Sequence, residues 1–108
     1  MTELERGVAD ALRLSEKAAE NGMILRTIQR NIRTARSELI RAGVSDVIAN
    51  SNHPLVEDAV ITFCLSKMDD ENMQERHREA FEYQVDNLRK SNIVIEEKKK
   101  EEAGVSEE

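Results

Sequence analysis

The stretch from Met23 to Val44, MILRTIQRNIRTARSELIRAGV, constrains the fold of this chain more than any other. Ile24, Ile28, Ile32, Ala35, Leu39 and Ala42 recur at steps of four and three, which places them on one face of an α-helix. At about 100° per residue, Arg26, Arg30, Arg33 and Arg41 fall on the opposite face. Gly43 stands just past the last apolar residue, where a helix end needs a left-handed backbone. A helix patterned this way needs neighbours to cover its apolar side. Its arginine side is left to meet solvent or a partner.

The rest of the chain supplies those neighbours. With 108 residues there is room for one domain, and with two Phe, one Tyr and no Trp its core must be small and aliphatic. Small cores of this kind gain from oligomerisation. One Pro and four Gly leave few breaks, so the chain reads as all-α, a small bundle of about four helices with a flexible charged C-terminal tail. The first helix is expected over residues 3–14. Thr2 and Glu5 form its capping box, Leu4, Val8, Ala11 and Leu12 its apolar face, and Gly7 costs it up to about 1 kcal/mol against Ala. Residues 15–22, SEKAAENG, admit two readings: a short turn capped by Ser15, or a helix starting near Glu16 and kinked at Gly22. Residues 44–53 read as a loop in which Val47 and Ile48 fold back onto the core or meet a partner, with Pro54 opening the next helix.

That third helix, residues 54–68, is apolar nearly all round: Leu55, Val56, Ala59, Val60, Ile61, Phe63, Cys64, Leu65 and Met68 cover most of its circumference. Such a helix is buried on several sides, and part of it is expected at a subunit interface. The fourth, residues 72–90, carries Met73, His77, Ala80, Phe81, Val85 and Leu88 on one face and Tyr83 on another. From Asn92 the composition turns to IVI followed by a mixed charge run, which divides the chain into a helical domain, 1–91, and a charged, mobile tail, 92–108.

Candidate catalytic groups are few. A single Cys excludes an internal disulfide and fits synthesis in a reducing cytoplasm. Cys64 reads as a buried hydrophobe, His77 as a satisfied structural or interface histidine and His53 as a turn or N-cap residue. Asp69, Asp70 and Glu71 lack the spacing of a calcium loop and read as an acidic helix start. With no phosphate loop and no metal-ligand spacing, no enzyme, metal or cofactor is expected. Neither a signal peptide nor an apolar run near the roughly 20 residues that cross a bilayer is expected, so no membrane partner follows.

Charge is distributed unevenly. Residues 21–43 hold five basic and one acidic residue, a local +4 inside a chain of net charge −6, while residues 69–91 hold four basic and seven acidic, a local −3. The arginine stripe therefore has three readings: a solvated face, a pairing surface for acids of a neighbouring subunit or partner, or a phosphate contact. The overall acidity opposes a general nucleic-acid binder.

Several segments together suggest a family. A helix ending in ELIRAGV, a loop with Asn and Ser, then PLVEDAVITFCLSKM and a last helix closing YQVDNLRKS resemble the head–tail connector proteins of long-tailed bacteriophages, also called head-completion adaptors or DNA-packaging connectors. VADALRLS at 8–15 is similar to the family's opening helix and turn, and the likeness covers roughly residues 4–91. The chain departs from the pattern at 15–22, where the blander SEKAAENG stands in place of the family's acidic turn.

The resemblance implies a helical bundle that forms a ring of about a dozen copies in the virion, at the head–tail interface, after synthesis in the host cytoplasm. The ring docks on the portal protein after DNA packaging, extends the channel through which viral DNA passes without sequence-specific binding, and offers a platform to the stopper or tail-completion protein. It implies no catalytic residues. Within that frame, Arg26, Arg30 and Arg33 are expected to face Glu75, Glu79 and Glu82 of the next copy, with Arg41 and Tyr83 on the same subunit or partner interface. Ile93, Val94 and Ile95 are expected to order on the portal as an added strand or a plug. The rival is a small helical DNA-binding regulator using the arginine face. A free helical protein that dimerises only for stability is the third option.

Overall fold

The computed structural model describes the backbone of residues 1–107 and the side chains of residues 1–91. Six helices follow one another among the described residues: α1 (Glu3–Ala11), α2 (Glu16–Ala19), α3 (Gly22–Arg41), α4 (Asp46–Ala49), α5 (Pro54–Met68) and α6 (Glu71–Glu107). Among the described residues there is no strand, so the all-α expectation holds. The four longer helices were legible from periodicity. The one-turn α2 and α4 were not, because four residues are too few to show a period.

Each start has a local cause. Thr2 Oγ1 accepts from Glu5 N at 3.1 Å while Thr2 N donates to Glu5 Oε1 at 3.0 Å, completing the expected capping box. Ser15 caps α2 by accepting from Ala18 N at 3.1 Å, and Asn21 Oδ1 caps α3 by accepting from Met23 N at 3.0 Å. Residues 15–22 thus hold two caps and one turn of helix, and α3 begins afresh instead of continuing through a kink. Ser45 caps α4, while His53 Nδ1 accepts from Leu55 N at 3.1 Å ahead of Pro54 in the first turn of α5.

The ends of α1 and α3 share a motif but not a residue. Gly43, at φ 106°, lets Val44 N reach Leu39 O and its own N reach Ile40 O, each at 3.0 Å. At the end of α1 the same two bonds run from Leu14 N to Ala9 O and from Arg13 N to Asp10 O, with Arg13 at φ 59°. The helix expected to reach Leu14 therefore stops at Ala11, at a left-handed arginine that no composition signal marks.

The central element is α5, packed most extensively on α6, then on α3 and α1. Val56, Ala59, Val60, Phe63 and Cys64 are buried against Val8, Ile28, Leu39, Val85 and Leu88. Leu55 remains half exposed. The covering expected from another subunit is thus mostly supplied within one chain. Gly7 allows α1 to lie close: a Cβ there would stand 3.1 Å from Ile61 Cδ1 of α5. Val47 and Ile48, adjacent in α4, part company, with Ile48 buried and Val47 57% exposed.

Two expected face residues are corrected. Ala11 and Ala80 are exposed, and Ala9 takes the buried place on α1. On α6 the inward side passes through His77, Phe81, Gln84, Val85 and Leu88, so Gln84 stands where Ala80 was expected. The helix expected to end near Lys90 instead continues to Glu107, so the backbone of the expected tail, Ile93, Val94 and Ile95 included, is helical where a mobile or strand-forming segment was expected; the side chains from Asn92 onward lie outside the described residues.

Candidate interaction surfaces

The five arginines of α3 fall into three groups. Arg36 lies about 80° round the helix from Ile28, at the flank of the apolar stripe. It is half buried, and its guanidinium donates to Ala49 O at 2.7 Å and Ser51 O at 3.2 Å, which ties the α4–α5 turn to α3. Arg41 is exposed and pairs with Glu38 of its own helix at 3.5 Å. Arg26, Arg30 and Arg33 are exposed and have no ion pair among the described residues. The expected stripe is present, and its free members are three.

The acidic partners proposed for it lie together on α6. Glu75, Glu79 and Glu82 recur at steps of four and three, are all exposed, and Asp86 continues their row. Glu75 accepts from Arg78 at 2.5 Å and Asp86 pairs with Lys90 at 3.1 Å, whereas Glu79 and Glu82 have no ion pair among the described residues. Such exposed pairs contribute little to stability. Tyr83 projects outward beside this row, 70% exposed. No ion pair joins the arginine row to the acidic row within the described part of the chain.

Beside the acidic row lies a feature that periodicity did not show. An open groove of about 660 Å³ runs between α3, α5 and α6, with Ala42, Phe63, Phe81 and Val85 among its lining and Glu38, Glu75 and Glu82 at its edge. Phe63 and Phe81, the only phenylalanines, meet edge to face with centroids 5.1 Å apart, and Lys67 Nζ stands 5.5 Å over Phe63. That buried Phe63 and half-buried Phe81 line one groove depends on where α5 and α6 cross.

The remaining titratable groups have structural roles. His77 Nε2 is 2.7 Å from Asp69 Oδ2, and Asp70 N donates to Asp69 Oδ1 at 2.8 Å. The hydrogen bond from His77, then that from the Asp70 backbone, and the charge of nearby Arg13 hold the Asp69 carboxyl below its ordinary value. His77 is thus satisfied within the fold, at the junction of α5 and α6. Burial pushes the Cys64 thiol up to about 12, which suits packing and not nucleophilic attack. Among the described residues no cluster of His, Cys, Asp or Glu is arranged to hold a metal, and no helix is long and apolar enough to cross a membrane.

No family model, curated protein or solved structure matches the chain.

Proposed function

We infer that the protein is a head–tail connector of a long-tailed bacteriophage, a non-enzymatic adaptor that docks as a ring on the portal after DNA packaging. In this reading it extends the DNA channel and provides the platform for the stopper or tail-completion protein. The segments 8–15, 38–44, 54–68 and 83–91 support it through their resemblance to that family. The observation that carries it is the separation of charge on one small bundle. Arg26, Arg30 and Arg33 on α3, and Glu79 and Glu82 on α6, have no ionic partner among the described residues. Two different, complementary surfaces on one chain favour head-to-tail association, which closes into a ring when the rotation between copies allows it.

Electron microscopy of the full chain mixed with purified portal tests the assignment: a ring of added density beneath the portal is expected, and portal alone in every image would sink it. Deleting residues 92–108 is expected to leave the bundle folded and weaken portal capture in a pull-down, and unchanged capture would remove the tail from the mechanism.

The same unpaired arginines favour one second reading, a DNA-binding regulator that lays α3 against phosphates. It requires duplex retardation that falls steeply with salt. A mobility-shift experiment at low salt with no retarded band discards it.

A further inference from the structure

Met23 is an apolar side chain left in water: it is 72% exposed and sits one turn ahead of Arg26. It belongs to the same outward row as Arg26, Arg30 and Arg33, so it forms an apolar end to a basic stripe. That row and the row Glu75, Glu79, Glu82 have the same steps of four and three, and at 1.5 Å per residue each is about 10 Å long. Two alignments bring the rows together. In a parallel one, Arg26 meets Glu75 and Met23 falls beyond it, opposite exposed, polar Asn72. In an antiparallel one, Arg33 meets Glu75 and Arg26 meets Glu82, Arg30 falls one residue, about 1.5 Å along the axis, from Glu79 and beside Arg78, and Met23 falls one turn further on, opposite Val85. There the groove between α3, α5 and α6 presents Ala42, Phe81 and Val85. Only the antiparallel alignment pairs the charges and also gives the apolar side chain an apolar seat.

We propose that Met23 of one copy inserts into the α3–α5–α6 groove of a second copy, against Phe81 and Val85, with the arginine row antiparallel to the acidic row. This rests on the reading above that the two rows meet between copies, and adds the register and the anchoring contact. An unbranched thioether adapts to an irregular groove and packs well at the edge of an aromatic ring. The acidic row aligns the approach, and burial of Met23 slows dissociation. Because the knob and its socket are different surfaces, each copy has one of each to offer, and the contact propagates head to tail.

The test uses the full chain carrying Met23→benzoylphenylalanine, a photo-crosslinking residue that keeps the position apolar. It is mixed in equal parts with wild-type chain labelled with heavy nitrogen, so links between copies differ in mass from links within one. Light-to-heavy links from position 23 to the Phe81–Val85 stretch or to Phe63 are expected. Links concentrated near Asn72, links spread evenly over the surface, or no links between copies overturn the proposal. Met23→Glu, at a site too exposed to disturb folding, is expected to weaken self-association in sedimentation about tenfold or more. Unchanged association also overturns it. Links at the groove without a ring on the portal retain the contact and remove the adaptor reading. A ring on the portal without links does the reverse.

Discussion

Helices α3 and α5 lie side by side, yet they serve the molecule in opposite ways. Every turn of α5 meets a neighbour from α1, α3 or α6, and only Leu55 at its start is half exposed among its large apolar residues. Helix α3 buries Ile28, Ala35 and Leu39 on one side and leaves Arg26, Arg30 and Arg33 on the other. The difference teaches where a small bundle keeps its options. The element that organises the core keeps little outward surface, so recognition falls mainly to the amphipathic helices around it, whose outer faces tolerate change at little cost in stability.

The contrast breaks most sharply with a charge placed in α5. Val60→Asp is expected to cost about 4 kcal/mol or more and to abolish the cooperative thermal transition seen by circular dichroism, because Val60 is fully buried in an apolar cluster. Within α3 the inward arginine should behave like core. Arg36→Ala leaves Ala49 O and Ser51 O without their donor and is expected to cost about 2 kcal/mol in urea unfolding.

Smaller effects are expected at the helix ends. Gly43→Ala, at φ 106°, is expected to cost about 1 kcal/mol, since a Cβ is disfavoured there even though it would only touch Arg89 Nε at an ordinary 3.5 Å. Arg13→Gly, at the matching position of α1, is expected to stabilise by less than about 1 kcal/mol, the relief of left-handed strain being offset by chain entropy. Equal shifts of the same sign in the two melting temperatures would contradict this account of the caps.

Asp69, which ends α5, gives the comparison a pH dependence. Its carboxyl is held below the ordinary value chiefly by the hydrogen bond from His77. A group depressed in the folded state contributes stability above its unfolded value, about 3.9 for aspartate, and that contribution is lost as pH falls through the folded value. Wild type is therefore expected to melt above Asp69→Asn near neutrality, with the gap closing in acid below that value. A gap that widens in acid would reverse the assignment.

The smallest effect on folding is expected at the outer face of α3. Arg30→Ala should change unfolding free energy by less than about 0.5 kcal/mol while weakening self-association measured by light scattering. A loss of stability comparable to that of Arg36→Ala would erase the distinction between the two sides of α3.

Much of this was legible in the residues alone. The helical class, the bounds of α5, the two faces of α3, the caps at Thr2 and His53 and the turn at Gly43 follow from periodicity and short-range hydrogen bonding, which act over one or two turns and leave a pattern in the chain. The separate rows of arginine and glutamate follow for the same reason. Tertiary structure decided what depends on how helices cross. It turned Arg36 inward to hold the α4–α5 turn while its neighbours stayed out. It divided Val47 from Ile48, exposed Ala80 in favour of Gln84, and brought Phe63 and Phe81 from different helices to one groove. A helical period gives the direction a side chain points from its own axis. What stands opposite is set by axes packed together, and that information is shared among segments far apart in sequence.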